Sequence, residues 1–174
     1  NPCGEYLSTK DTACNLLTVN LQKCLEGKFA DFLTQVYEKA RLAAIAGNEI
    51  LDMGGFPPIE RIAQNTLKFR PIGIGFTGLQ HAMNYFDISY ADEHEAPKFA
   101  KATQLALMLG SMQGSLDYAD YYKQKTGKKL EVREWNIDYA KRIAQEAKEF
   151  SNQLPRKATW QKHIKRIFAS VIIQ

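Results

Sequence analysis

The chain is 174 residues long, 45% hydrophobic and 24% charged, which is the balance of an ordinary globular domain and excludes disordered or collagen-like classes. Its length suits about one domain with a sizeable core. Its apolar runs fall far short of the ~20 residues that span a bilayer and no leader opens it, so a soluble, cytoplasmic protein with no membrane partner is expected. The net charge of +4 is unevenly placed, with 13 Lys/Arg against 5 Asp/Glu in residues 122–174. Without zinc-finger, helix-turn-helix or RNA-binding aromatic motifs, that surplus reads as a solvated helix face in preference to a nucleic-acid surface.

In chain order, residues 1–13 read as an irregular loop, with Pro2, Gly4, Ser8 and Asp11 as turn formers. Cys14–Leu21 has the length and apolar character of a short buried strand, and Gly27 ends that unit. Apolar residues from Phe29 to Leu51 recur at helical spacing and predict a helix over Phe29–Met53, closed by Gly54-Gly55. Pro57-Pro58 opens the next helix, Ile59–Lys68, and Arg70-Pro71 breaks it. Ile72–Phe76 is fit for a fully buried strand, and Thr77 is placed to cap a helix over Gly78–Tyr85. After a connector at Asp87–Tyr90, a long helix reaches about Tyr122, started by Asp92 as cap or later by Pro97. Thr126-Gly127 is a turn, Asn136–Phe150 a helix, Pro155 a break and Trp160–Val171 a weaker helix.

Helices dominate, and the strand–helix–strand order implies parallel pairing of the two strands. The fold class is therefore α/β and helix-rich. Two strands do not make a whole sheet, so the others are expected from other chain. The start at Asn1 in place of Met points the same way, to a fragment, a processed product or a trimmed piece.

The first five residues carry the densest chemistry. Asn1, Cys3 and Glu5 place an amide, a thiol and a carboxylate at alternate positions, which in an extended segment all point the same way. Pro2 fixes its own φ, and Gly4 allows a close backbone approach to a ligand. A radical or acid–base site and a surface turn with a free thiol are both compatible with that spacing. The three cysteines, at 3, 14 and 24, form no CxxC pair, and an odd count argues for reduced thiols over a disulfide scaffold.

Asn1-x-Cys3-x-Glu5, followed by Cys14-Asn15-Leu16 and Asn20-Leu21, resembles the finger loop and following strand of ribonucleotide reductase large subunits. Arg70-Pro71-Ile72-Gly73-Ile74-Gly75-Phe76-Thr77-Gly78-Leu79 is similar to that family's strand-to-helix segment. The likeness covers roughly residues 1–110, with three blocks in the right order. It implies a ten-stranded α/β barrel, of which residues 1–155 would be a fragment starting at the finger loop, with 156–174 as a basic tail.

The resemblance also implies roles. Cys3 would carry a transient thiyl radical that takes the 3′-hydrogen of a ribonucleoside di- or triphosphate. Glu5 would accept the 3′-hydroxyl proton as general base, a contribution typically of about 10²–10⁴-fold, and Asn1 would hold the substrate hydroxyls. Desolvation inside a barrel would raise Glu5 from the usual carboxylate range of about 4.3 towards that of a useful base. Cys14 matches one member of the reducing dithiol, whose partner lies on an earlier strand. The implied company is the rest of the large subunit, a second copy of the complete subunit, a thioredoxin-type reductant and a radical source. That source would be adenosylcobalamin, towards which Pro2 and Gly4 lean, or a separate metal-containing radical subunit.

Against the family pattern, the chain shows no P-T-x-S-T phosphate loop, no paired C-terminal tyrosines and no C-terminal redox cysteines. A non-catalytic fragment or interaction piece that keeps only the fold signature is therefore the alternative reading. Cys24 reads as a buried structural thiol, because a rigid strand rising ~3.3 Å per residue would hold it about 33 Å from Cys14. Cys3, Cys14, Cys24 and His81 match no structural zinc spacing. Gly73-x-Gly75-x-x-Gly78 has the form of a dinucleotide fingerprint without an acidic residue ending a second strand, and close strand-on-helix packing is the expected reason for its glycines. Tyr118, Tyr121 and Tyr122 sit at helical spacing and read as core or interface aromatics.

Overall fold

The computed structural model describes residues 10–130 and 137–172. Its elements run β1 (Asn15–Asn20), α1 (Phe29–Met53), α2 (Glu60–Phe69), β2 (Ile72–Thr77), α3 (Leu79–Tyr85), α4 (Glu95–Thr126), α5 (Ile137–Ser151) and α6 (Lys157–Ile172). β1 and β2 pair in parallel, from Asn15 with Ile72 through Asn20 with Thr77, as the intervening helical crossover requires. A short 3-10 turn, Leu21–Cys24, follows β1, and the Asn20 side chain caps it by accepting the Gln22 N–H at 3.0 Å.

The helices form where apolar spacing predicts them, and their ends show why. α1 starts as the Asp31 carboxylate accepts the Lys28 backbone N–H at 3.2 Å. α4 uses both candidate start signals. Asp92 accepts the N–H groups of His94 and Glu95 at 2.9 and 2.8 Å, and Pro97 falls in the first turn, where no N–H is needed. The helix continues past Tyr122 to Thr126 and stops at Gly127 in the left-handed region.

α1 and α4 form the centre of the core and run in the same direction, with Phe32 beside Phe99, Tyr37 beside Gly110 and Arg41 beside Gly114. A Cβ on Gly110 or Gly114 would overlap the carbonyl oxygen of Tyr37 or Arg41. These two positions therefore set how closely the helices approach. Phe29, Phe32, Phe86 and Phe99 close one end of the interface, with ring centroids 5.2–6.1 Å apart. α6 buries Trp160, Ile164, Ile167 and Phe168 and leaves Lys162, Lys165 and Arg166 exposed. The basic surplus there is the solvated helix face expected from the sequence.

Three expectations are corrected. Neither strand is fully buried: the side chains of Leu17, Val19, Ile74 and Phe76 turn towards the helices, while Leu16 is 63% exposed and Thr18, Asn20, Gly75 and Thr77 are also exposed. Burial needs cover on both faces, and the described residues cover one. Thr77 does not cap α3, because it stays in the strand paired with Asn20; Gly78, at φ +84°, makes the turn without a side-chain cap bond. Nor do Gly73 and Gly75 serve strand-on-helix packing. A Cβ on Gly73 would meet Leu16 at 2.6 Å on the uncovered face, and one on Gly75 would meet nothing within 4 Å. The glycine that lets strand and helix approach is Gly47 of α1, whose Cβ would lie 3.0 Å from both Leu17 and Ile72.

Candidate functional site

Asn1, Cys3 and Glu5 lie outside the described residues. The site is therefore built from the segment that leads into β1, with Cys14 immediately before the strand. Cys14 is half-buried and its thiol points to the Asn15 carbonyl at 3.8 Å. By strand alternation it shares a face with Leu16, Thr18 and Asn20, and their partners Gly73, Gly75 and Thr77 extend that face across β2. The Cys14 sulfur lies 3.7 Å from where a Gly73 Cβ would be. The result is a flat, accessible surface with one thiol at its margin.

The segment from Lys10 to Cys14 is held by α2. Asp11 pairs with Arg61 at 2.7 Å, the Lys10 carbonyl accepts from Asn65 Nδ2 at 3.2 Å, and the Ala13 N–H donates to Thr66 Oγ1 at 2.9 Å. The first strand bond, from the Asn15 N–H to the Pro71 carbonyl at 3.3 Å, follows directly. Residues 61 and 65 lie one turn apart on the same side of the helix and Thr66 lies beside Asn65 towards the core, so a single helix reaches all three points.

The end of α2 is fixed in turn by Arg70, which adopts the left-handed conformation at φ +47° before Pro71. Its side chain is only 10% exposed. Nε donates to Asn48 Oδ1 at 2.8 Å, Nη2 to the Asn48 carbonyl at 2.8 Å and Nη1 to Asp52 at 2.6 Å, while the guanidinium lies 5.2 Å from the Tyr118 ring centroid. The Tyr118 hydroxyl donates to the other Asp52 oxygen. Burial pushes the Asp52 carboxyl up, but the bonds from Arg70 and Tyr118 outweigh it and hold the group below the usual carboxylate range. Burial first, and then the bond to Asp52, push the Tyr118 phenol up. Of the three helix-spaced tyrosines, Tyr118 is thus a core aromatic, whereas Tyr121 is 44% exposed.

Cys24, at the opposite end of β1, is fully buried and directs its thiol to the Asn20 carbonyl at 3.7 Å. Burial raises its pKa, as expected of a structural thiol. It is not joined to Cys14 in a disulfide. Among the described residues no group of three or more His, Cys, Asp and Glu side chains is arranged to hold a metal, and no helix is long and apolar enough to cross a membrane. Sequence reasoning passed over Thr66, Asn48 and Asp52. The available signal was Asn48 and Asp52, a polar pair at i, i+4 that interrupts the apolar stripe of α1.

The family model of the ribonucleotide reductase barrel domain matches residues 1–170. A vitamin B12-dependent ribonucleotide reductase of Rhodopirellula baltica is 39% identical over 79 residues, 45% of this chain and 8% of that protein. The enzyme of the same name from Agrobacterium fabrum is 32% identical over 111 residues, 63% of this chain and 8% of its own length. A ribonucleoside-diphosphate reductase large subunit of Suid herpesvirus 1 is 31% identical over 124 residues, 69% of this chain and 14% of that subunit. The chain thus corresponds to a small share of each of these relatives.

Proposed function

The chain belongs to the ribonucleotide reductase barrel-domain family, and on that premise we propose that it is the finger-loop stretch of a catalytic large subunit that reduces ribonucleoside di- or triphosphates. The observation that carries this reading is the uncovered sheet face with Cys14 at its margin, directly continuous with the segment that leads from Cys3. Among the described residues the sheet has two strands, one bare face and both edges open, which is what a stretch of a ten-stranded barrel presents when its neighbouring strands are elsewhere.

In the proposed reaction Cys3, in its thiyl form, takes the 3′-hydrogen atom, and Glu5 accepts the 3′-hydroxyl proton while Asn1 positions the hydroxyls. The 2′-hydroxyl leaves as water. Cys14 and a second thiol from another strand supply two electrons and two protons and become a disulfide. Glu5 returns its proton to the 3′ oxygen, and Cys3 returns its hydrogen atom to C3′ and is again a thiyl radical. A thioredoxin-type dithiol reduces the disulfide for the next turnover. The names of the Rhodopirellula and Agrobacterium relatives favour adenosylcobalamin as the source of the radical, with a separate metal-containing subunit as the other source; no residue of this chain is assigned to hold either. The working form would be a cytoplasmic homodimer of the complete subunit.

The test is to join the chain to the remaining segments of its subunit and assay deoxyribonucleotide formation with a radical source and a dithiol. Activity is expected, and Cys3→Ser or Glu5→Gln should abolish it. Activity that survives both substitutions sinks the assignment. No activity with any complement leaves the non-catalytic reading in its place.

A further inference from the structure

We infer that α2 is a positioning element for the Cys14 thiol and that Thr66 is its central residue. Its catalytic meaning rests on the proposed role of Cys14 as reductant. β1 begins at Asn15, so the N–H of Ala13 lies before the parallel ladder. The Thr66 hydroxyl takes that N–H at 2.9 Å. A side chain of a helix thereby sets the direction of the backbone immediately before Cys14.

Thr66 is completely buried, at 0% exposure, and Asn65 and Arg61 on the same helix hold Lys10 and Asp11. At the other end, Arg70 ties α2 to Asn48 and Asp52 of α1. The position of the thiol is thus referred to the helical core through a continuous set of bonds. Ala13 is the residue next to Cys14, so the bond to Thr66 sets the backbone from which the thiol projects. Transfer between two thiols depends steeply on placement: a displacement near 1 Å can cost on the order of 10²-fold in rate.

The experiment compares Thr66→Val, which keeps the shape and removes the hydroxyl, with Thr66→Ser, which keeps the hydroxyl, both in the complete subunit. Three readouts are used: amide hydrogen exchange at Ala13, the rate of Cys14 alkylation by iodoacetamide followed by peptide mass, and kcat and KM for ribonucleotide reduction. In Thr66→Val, exchange at Ala13 should rise roughly 3- to 10-fold, as for loss of one ordinary hydrogen bond. Alkylation of Cys14 should accelerate, and kcat should fall by about 10-fold or more with KM nearly unchanged. Thr66→Ser should restore all three. Asn65→Ala, at a half-exposed position where folding is not at risk, should move exchange and alkylation in the same direction by less.

Unchanged exchange and alkylation in Thr66→Val overturn the inference, as does a loss of kcat that Thr66→Ser does not repair. If the unsubstituted subunit reduces no ribonucleotide, the catalytic reading fails. Exchange and alkylation then still decide whether α2 positions the thiol.

Discussion

Where α1 meets α4 both surfaces are complete: glycines face backbone, phenylalanines stack, and Arg41 reaches across to Asp117. Where β1 meets β2 one face rests on those helices and the other shows Leu16, Thr18 and two bare glycines. Both regions use small residues, for opposite ends. In the helical layer Gly110 and Gly114 make room for a neighbour that is present. In the sheet Gly73 and Gly75 leave a surface flat for something that the described residues do not include. A glycine therefore says that space is needed, and only the structure says whether that space is filled.

The largest expected effect tests this contrast directly. Gly114→Ala would normally add about 1 kcal/mol of stability, because alanine is the better helix former. Here the added Cβ overlaps the Arg41 carbonyl and lies 2.8 Å from the Ala44 Cβ, so overpacking should outweigh propensity and cost about 3 kcal/mol. Gly75→Ala meets nothing within 4 Å and should leave stability unchanged, or raise it by up to ~1 kcal/mol through the unfolded state. Denaturant unfolding of the two variants checks this. Equal effects would mean that the two layers are not built as described.

Next in size is the bond set that links the layers. Arg70→Met leaves the Asp52 carboxylate without the Arg70 cation and should cost roughly 2 kcal/mol. The same substitution should change the response to acid. The folded-state pKa of Asp52 is depressed, so its contribution is present above the ordinary carboxylate pKa of about 3.9 and is lost as pH falls below it. Melting curves from pH 6 to pH 3 should therefore fall more steeply for the parent than for Arg70→Met. Parallel curves would show that Arg70 and Asp52 do not act together.

Much of this was legible in the sequence because it depends on local patterns. The 3.6-residue spacing of Phe32, Val36 and Ala40 gives α1, Asp92 and Pro97 give the start of α4, and the order of elements gives the parallel pair. What was not legible depends on the partner of a residue. Gly73 and Gly47 are equally bare in sequence, and only the fold shows that Gly47 faces a strand. Thr66 sits in a short helix with no motif, and its role becomes visible only when residue 13 arrives beside it. For the candidate site, Cys14 was found through resemblance and the structure supplies its surroundings, whereas the positions of Asn1, Cys3 and Glu5 lie outside the described residues.

The smallest expected effect is at Leu16. A leucine on a paired strand would ordinarily belong to the core, and replacing one there costs about 2–5 kcal/mol. At 63% exposure, Leu16 has little burial to lose. Leu16→Asn in this chain should change stability by no more than ~0.5 kcal/mol, and the apolar side chain should be the more aggregation-prone of the two. In the complete subunit, where the proposed barrel brings neighbours to that face, the same substitution should become several times more costly. Unfolding measured in both contexts checks the difference. A large cost in the chain alone would mean that the face is already covered, and the case for missing strands would lose its main structural support.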